Sequence, residues 1–232
     1  MPYTYEYTPP AVTADVALFT LRARGLAVLL VKRAKAPIKG AWALPGGFVD
    51  KNEPLDRAAS RELAEETGVT GVALEQLGAF GDPGRDPRGH TVSVAFVSFA
   101  AAEGPVRAGD DAADAAFVPL TRLPVTPADG RRARPSKKNP AIELAFDHAR
   151  IIEVARGRLQ HLLDDPRRPA QFEIVPPQFT LTELQHVYEA VLGRELDKRN
   201  FRARLFAFDL VEEVGEHRRG RHRPAQLFRW KV

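Results

Sequence analysis

Three glutamates that could hold a metal ion lie close together in a segment with a helical pattern. Glu62, Glu65 and Glu66 stand at i, i+3 and i+4, so a helix would project all three within about one quadrant. Like charges this close repel, and a hard divalent cation with oxygen ligands offsets that repulsion. Because the chain has no cysteine and no histidine beside these acids, Mg²⁺ or Mn²⁺ is the predicted metal. The alternative is an acidic helix face exposed to solvent.

The helix that would carry these glutamates has recognisable ends. Pro54 suits a first-turn position, and Gly68 follows Thr67 as a stop signal. Upstream, Gly46 and Gly47 end the apolar run 41–45, and a polar loop leads from them into the helix. The sequence therefore predicts a strand, a loop and a helix that together place the acids.

The spacing in this segment resembles the signature of the Nudix hydrolases. Gly47, five residues, Glu53, seven residues and then the run 61–69 match at every defining position. The resemblance implies that Glu62, Glu65 and Glu66 hold the metal and carry catalysis, assisted by the backbone at Gly46. The motif residues with implied structural roles are Gly47, Glu53, Arg61 and Gly68.

The chemistry that such a site serves is attack of water on a phosphoanhydride. Metal ions neutralise the pyrophosphate, hold it in line with the water and lower the pKa of that water, while carboxylates keep the metal in place. The resemblance implies a substrate in which a nucleoside diphosphate is linked to another group.

Composition limits the classes of protein to which the chain can belong. The chain has 232 residues, of which 44% are hydrophobic, enough to bury a core of one large or two modest domains. Without cysteine there is no disulfide, thiol nucleophile or cysteine-based zinc site. The N-terminus lacks the features of a signal peptide, and no apolar run is long enough to span a bilayer. We therefore expect a soluble, cytoplasmic protein without a membrane partner.

Apolar and β-prone runs around the glutamate segment predict a sheet. The predicted strands are 13–21, 26–31, 72–80, 91–100 and 116–120. Together with the helix they indicate an α+β fold, which the resemblance specifies as a Nudix α/β/α sandwich with a mixed sheet.

A turn-dense loop at 81–90 precedes one of these strands. This loop and strand resemble those of the ADP-ribose pyrophosphatase branch of the Nudix family, which makes Arg85, Arg88 and His90 candidates for substrate contact. Arg33, on an earlier loop, is a further candidate for the substrate phosphates. The alternatives are a conformational role for the loop at 81–90 and simple solvation of Arg33.

A long helix is predicted after a basic segment at 130–138. Asn139 and Pro140 suit a helix start, and an apolar stripe from Ile142 to Leu163 would cap the sheet or meet a partner subunit. His148 beside the stripe is expected to be packed and hydrogen-bonded. The pattern breaks at 164–170, which predicts a Nudix domain at 1–165 and a second domain at 166–232.

The second domain has the pattern of a winged helix. Thr180 to Glu183 form a capping box, a basic helix follows over 198–208, and two strands flank a basic tip. The functional interpretation is DNA binding, with the second helix in a major groove and the wing on phosphates. The alternative is an accessory lobe that completes a dimer or covers the active site. The predicted DNA contacts are Lys198, Arg199, Arg202, Arg218, Arg219, Arg221 and Arg223.

The whole arrangement resembles the Nudix-related transcriptional regulators of NAD metabolism. That resemblance implies a homodimeric repressor that senses ADP-ribose or a related nucleotide and leaves double-stranded operator DNA when the ligand binds. None of the motif acids is missing, which implies that hydrolysis of ADP-ribose to AMP and ribose 5-phosphate survives. Two alternatives stay open: a sensor without hydrolysis, and a metabolic ADP-ribose or nucleoside-diphosphate-sugar pyrophosphatase whose C-terminal lobe serves dimerisation.

Overall fold

A mixed β-sheet lies at the centre of the N-terminal part of the chain. The structure is a computed structural model and describes residues 6–22, 25–100, 106, 109, 112–124, 142–164, 175, 177–218 and 224–231. The sheet strands are β1 (Ala11–Arg22), β2 (Gly25–Arg33), β3 (Trp42–Ala43), β4 (Gly46–Phe48), β5 (Glu75–Phe80), β6 (Thr91–Phe99) and β7 (Ala112–Pro119). Their order is β3-β2-β1-β6-β5, with β4 also paired to β1 and β7 to β2. Only the β1–β6 pairing is parallel among these described strands.

Two helices cover opposite faces of this sheet, which explains why β1 and β2 are apolar on both faces. Helix α1 (Leu55–Thr67) packs Ala59 and Leu63 against Val16 and Leu18 of β1. Helix α2 (His148–Asp164) packs against the residues of β1 that alternate with these, such as Phe19. The predicted α/β/α sandwich with a mixed sheet is confirmed.

The ends of α1 follow from local backbone chemistry. Pro54 stands at the N-cap with φ −63° and ψ 144°, one position before the first helical residue. Gly68 ends the helix with φ 72°, a left-handed conformation that costs glycine little, and its N–H donates to the Ala64 carbonyl at 2.9 Å.

Helix α2 begins later than the sequence pattern indicated. The expected start at Asn139 and Pro140 lies outside the described residues, and the helix begins at His148. Before it, the chain runs beside Trp42, whose N–H donates to Glu143 O at 2.9 Å and whose carbonyl accepts from Ala145 N at 2.7 Å. The expected continuous helix was therefore wrong over this segment, because its backbone groups are satisfied by the sheet instead.

The apolar stripe of α2 caps the sheet. Ile151, Ile152, Ala155 and Leu159 are fully buried. Each buried Ile or Leu of this kind contributes about 1.5–3 kcal/mol by leaving water.

The C-terminal part is a winged helix, as predicted. It contains α3 (Leu181–Leu192), α4 (Lys198–Ala207) and the hairpin β8 (Val211–Arg218) with β9 (Ala225–Trp230). Thr180 Oγ1 accepts from Glu183 N at 3.2 Å, and Glu183 Oε2 accepts from Thr180 N at 2.8 Å, which completes the capping box. Asp197 caps α4 by accepting from Asn200 N at 2.8 Å.

The two parts share one hydrophobic core. Leu163 near the end of α2 belongs to the same buried cluster as Leu184 and Val191 of α3, and Gln160 Nε2 donates to Val191 O at 3.2 Å. The predicted domain boundary at 165 and 166 falls outside the described residues and stays a prediction. None of the helices in the described ranges is both long and apolar enough to cross a bilayer.

Candidate active site and ligand cleft

A cleft of about 450 Å³ opens where β1, β2, β4, α1 and the start of α2 meet. Its lining combines acidic, basic and aromatic side chains. Those used below are Asp15, Arg33, Phe48, Glu62, Glu66, Arg85, Asp86, Arg88, Phe146 and His148.

The three motif glutamates differ in their exposure. The side chain of Glu62 is 14% exposed and that of Glu65 is 60% exposed. Glu66 turns inward, where its Oε2 accepts from the Gly46 N–H at 2.9 Å. Burial, followed by the negative charges of Glu62 and Asp15, raises the pKa of Glu66 to about 7, and the Gly46 hydrogen bond opposes this shift.

Arg61 ties the motif loop to the helix. Its Nε donates to Glu53 Oε1 at 2.8 Å and its Nη2 to Glu53 Oε2 at 2.9 Å, in a bidentate pair. This hydrogen bonding lowers the pKa of Glu53 to about 2. Arg61 Nη1 also donates to Glu62 Oε1 at 2.7 Å and to Glu65 Oε2 at 3.2 Å.

Glycine is required at two positions where β4 passes close to its neighbours. A Cβ on Gly46 would lie 2.3 Å from Ala14 O and 2.6 Å from Asp15 Oδ1. A Cβ on Gly47 would lie 2.4 Å from Glu62 Oε1. These two glycines therefore allow β4 to lie close to Asp15 on β1 and to Glu62 on α1.

The chemistry of the donor set fits a hard divalent cation. Every donor is oxygen, and the negative charges of Glu62 and Asp15 add to burial in raising the pKa of Glu66. Across the described ranges, however, no three acidic or imidazole side chains already stand in a metal-binding arrangement. The reason is visible for Glu62 and Glu65, since both bond to Arg61.

Arg33 and Arg88 line the cleft around one aromatic ring. Their guanidinium carbons lie 4.8 Å and 5.5 Å from the centre of the Phe146 ring, and Arg88 also stacks 4.9 Å from the centre of Phe48. Arg88 Nη2 pairs with buried Asp86 at 2.6 Å. Burial and then the charge of Arg88 lower the pKa of Arg33. Asp86 therefore offsets part of the positive charge of Arg88, and Arg33 adds a second positive charge to the same region of the cleft.

Arg85 and His90, the other two candidates for substrate contact, have different surroundings from Arg33 and Arg88. The Arg85 side chain is 4% exposed, and its Nη2 pairs with Asp147 Oδ1 at 2.6 Å, so it joins the loop to the start of α2. His90 is exposed and is not among the residues that line the cleft. Its carbonyl accepts from Ala11 N at 3.0 Å.

Sequence analysis missed a buried acid in the floor of the cleft. Asp15 Oδ2 accepts from Thr13 Oγ1 at 3.2 Å and from Ser93 Oγ. Asp15 Oδ1 lies 3.8 Å from Nε2 of His148, which is buried and hydrogen-bonded as expected. The available signal for Asp15 was one acid inside an otherwise apolar strand.

The predicted DNA contacts fall into three groups. Lys198 and Arg199 are exposed at the start of α4, and Arg202 is half-buried on the same helix. Arg218 pairs with Glu183 and donates to Gln178 O at 3.3 Å, so it joins the wing to the start of α3. Arg219, Arg221 and Arg223 lie outside the described residues.

Two family profiles match the two parts of the chain. The NUDIX domain matches residues 10–138, and the NrtR DNA-binding winged helix domain matches residues 171–230. A curated relative, the ADPR responsive transcriptional repressor NtrR of Acinetobacter baylyi, is 34% identical over 232 residues, covering 98% of this chain and 84% of the relative.

Solved structures agree with this match. NrtR of Shewanella oneidensis complexed with a 27mer DNA is similar with a TM-score of 0.70 and 33% identity, over 95% of this chain and 93% of that one. The NUDIX domain of the same protein complexed with ADP ribose gives a TM-score of 0.54 and 35% identity, over 66% of this chain and 90% of that one. With a complete glutamate motif on α1 and a winged helix behind it, this chain belongs to the NrtR-type, Nudix-related transcriptional regulators.

Proposed function

We propose that this protein is an ADP-ribose-responsive transcriptional repressor of NAD metabolism genes that has kept Nudix hydrolase activity. The observation that carries the proposal is the presence, on one chain and around one core, of a charged Nudix cleft and a winged helix with exposed basic residues. The relatives support it, since one is an ADPR responsive repressor and others were solved with DNA and with ADP ribose.

The winged helix is the DNA-binding element in this proposal. Lys198 and Arg199 lie at the N-terminus of α4, the end that enters the groove in helix-turn-helix proteins, and they contact the phosphates at the groove edge. The protein acts as a homodimer, so that two winged helices bind the two halves of a double-stranded operator.

The cleft is the ADP-ribose site in this proposal. Arg33 and Arg88 bind the diphosphate, because both guanidinium groups line the cleft and lie close to the Phe146 ring. Gly46, Glu62, Glu65 and Glu66 would hold Mg²⁺ or Mn²⁺, which when bound would neutralise the diphosphate and lower the pKa of water. Arg61 donates to Glu62 and Glu65, so a bound cation would have to compete with it for these two carboxylates. The products of hydrolysis are AMP and ribose 5-phosphate.

ADP-ribose releases the DNA only if it binds two inter-domain arrangements with different affinity. Helix α2 is the element that can report the ligand, since His148 at its start lines the cleft and Gln160 near its end bonds α3.

Fluorescence anisotropy with the DNA upstream of its own and neighbouring genes, at fixed salt with and without ADP-ribose, tests the regulatory proposal. We expect specific binding that ADP-ribose weakens. Lys198→Ala/Arg199→Ala should weaken binding and reduce the slope of log affinity against log salt by about 2, since each phosphate contact contributes about 0.9. The charge-matched control Lys51→Ala/Arg57→Ala, on exposed residues of the motif loop and α1, should leave the slope unchanged. Binding no stronger than to unrelated DNA would reject the regulator.

Hydrolysis is tested separately with Glu65→Gln/Glu66→Gln. We expect the wild-type protein to cleave ADP-ribose with Mg²⁺ and the double variant to lose turnover while still binding DNA. Turnover that survives both substitutions would reject the metal-site assignment. Brisk turnover by a wild-type protein that does not bind the operator would instead favour the metabolic pyrophosphatase.

A further inference from the structure

His148 and Asp15 face each other across a gap in the floor of the cleft. The distance from His148 Nε2 to Asp15 Oδ1 is 3.8 Å, too long for a hydrogen bond. Both side chains are nearly buried, with 4% and 8% exposed, yet both line the cleft. An oxygen atom of a ligand can bond to both of these atoms at about 2.8–3.0 Å if it lies beside the pair, off the line that joins them.

The backbone determines which nitrogen of His148 carries the proton. His148 Nδ1 accepts from the Leu44 N–H at 2.8 Å and cannot be protonated while it does so. Burial lowers the pKa of His148, so the imidazole is neutral at physiological pH. The single imidazole proton is therefore on Nε2, and it faces the gap.

Asp15 presents an acceptor on the other side of the gap. Its Oδ2 already accepts from Thr13 and Ser93, which fix the orientation of the carboxylate. Within the described residues no hydrogen bond reaches its Oδ1. Gly46 keeps the approach to this oxygen open, since a Cβ there would lie 2.6 Å from Oδ1.

A donor and an acceptor facing one gap match a hydroxyl group, which both donates and accepts. We propose that His148 and Asp15 bind a sugar hydroxyl of the ligand, which donates to Asp15 Oδ1 and accepts from His148 Nε2–H. A phosphate oxygen is excluded there, because it would meet the Asp15 carboxylate without a proton between them. The pair thus selects ligands that carry a ribose hydroxyl, while Arg33 and Arg88 bind the diphosphate. This inference rests on the proposed function for the identity of the ligand.

The variant that tests the pair is His148→Asn. Asparagine Oδ1 can replace Nδ1 as the acceptor for Leu44 N–H, but nothing replaces Nε2–H. Asp15→Asn is the second variant, which replaces the Oδ1 acceptor with a donor while an oxygen still faces Thr13 and Ser93. The matched control is His161→Asn, the same substitution at an exposed position of the same helix. Thermal melting checks that each variant is folded.

Affinities are measured by calorimetry in EDTA, so that no hydrolysis occurs, for ADP-ribose, ADP and single-deoxy analogues of each ribose. A lost hydrogen bond to a neutral partner should weaken binding about tenfold. We expect one deoxy analogue to bind the wild type about tenfold more weakly than ADP-ribose. His148→Asn should remove that difference, because it weakens ADP-ribose and the analogues that keep the contacted hydroxyl but leaves the affinity of that one analogue unchanged. If the hydroxyl belongs to the adenosine ribose, ADP also weakens in the variant; if it belongs to the terminal ribose, ADP does not.

Two results would overturn the proposal. One is a His148→Asn variant that weakens every analogue equally or none, or that behaves as His161→Asn does. The other is a proton on Nδ1 in long-range ¹H–¹⁵N spectra of the ligand-free imidazole, which requires no ligand. If the wild-type protein does not bind ADP-ribose, the proposed ligand is wrong. The affinities of the wild type and His148→Asn for ADP-glucose and NAD⁺ would then decide whether the pair binds a sugar hydroxyl.

Discussion

Gly46 and Gly47 are adjacent in the chain but have different neighbours, so alanine should have different effects at the two positions. At Gly46 the new methyl group would meet the backbone of Ala14, which cannot move without parting β1 from β4. We expect Gly46→Ala to lower the free energy of unfolding by about 2 kcal/mol or more in urea denaturation. Gly157→Ala, inside α2 with open space around it, is the control and should raise stability by about 0.5–1 kcal/mol.

Gly47→Ala should affect the site more than the fold. Its methyl group would meet the carboxylate of Glu62, which is the movable end of a side chain. We expect a change in unfolding free energy below about 1 kcal/mol, together with weaker Mn²⁺ binding in calorimetry and slower hydrolysis. Unchanged Mn²⁺ affinity in a folded Gly47→Ala protein would contradict the role of Glu62 as a ligand.

Glu66 makes metal binding depend on pH near neutrality. Its pKa of about 7 means that the metal must displace a proton below that pH. We expect Mn²⁺ affinity to rise between about pH 6 and pH 8, and Glu66→Gln to bind weakly with a flat profile. In the absence of metal, the stability of the fold changes with pH in the opposite direction. Because the pKa of Glu66 is raised in the folded protein, its contribution to stability is present at acid pH and is lost as the pH rises through about 7. Affinity that falls over this range would contradict the assignment.

The sequence predicted the acids on α1 better than those in the strands. Glu62, Glu65 and Glu66 are close in the chain, and helix geometry alone places them together. Asp15 and His148 meet only because the fold brings β1 to the start of α2, and Leu44 N–H reaches His148 across 104 positions of sequence. A pattern of local spacing carries no information about such a contact.

At the scale of elements, local sequence patterns predicted α1 correctly but misplaced the start of α2. Pro54 and Gly68 mark the two ends of α1, so its bounds were predictable from the sequence. The apolar residues before α2 have helical spacing but lie beside Trp42, where sheet hydrogen bonds replace helical ones. Periodicity predicts which residues are buried there and misses the backbone conformation, since Ile142 and Ala145 are indeed buried.

The loop at 81–90 is fastened to α2 by Arg85, and this should make Arg85 important for stability. The pair with Asp147 is largely desolvated, with side chains 4% and 19% exposed. Removing one partner leaves the other charge poorly compensated, so we expect Arg85→Ala to cost about 3 kcal/mol in urea denaturation. Arg158→Ala, in an exposed pair with Glu75, is the control and should cost less than about 1 kcal/mol.

The double variant Arg85→Met/Asp147→Leu distinguishes the pair from simple loss of packing. We expect it to recover much of the stability lost in Arg85→Ala, because neither charge is then buried alone. If the double variant loses as much stability as its two single variants together, Arg85 stabilises the loop by some other contact.

At the scale of the whole molecule, the shared core predicts that the two parts unfold together. The buried cluster runs from Phe19 in the sheet through Leu159 on α2 to Leu184 and Phe228 in the winged helix. Such continuity couples the stability of the cleft to that of the DNA-binding part. It also gives the ligand a packed route to the winged helix through α2.

The two tryptophans of the chain, one in each part, allow this prediction to be checked. Trp42→Phe leaves Trp230 in the wing as the reporter, and Trp230→Phe leaves Trp42 beside the sheet. We expect both proteins to show one denaturation transition with similar midpoints.

A second substitution, Val191→Ala, lies at a site 1% exposed between α3 and α2. It should lower the free energy of unfolding by about 1–2 kcal/mol and shift both midpoints together. Val154→Ala, 44% exposed on α2, should change neither. A loss confined to the Trp230 signal would mean that the winged helix unfolds alone, and α2 would then be too weak a link to carry a ligand signal.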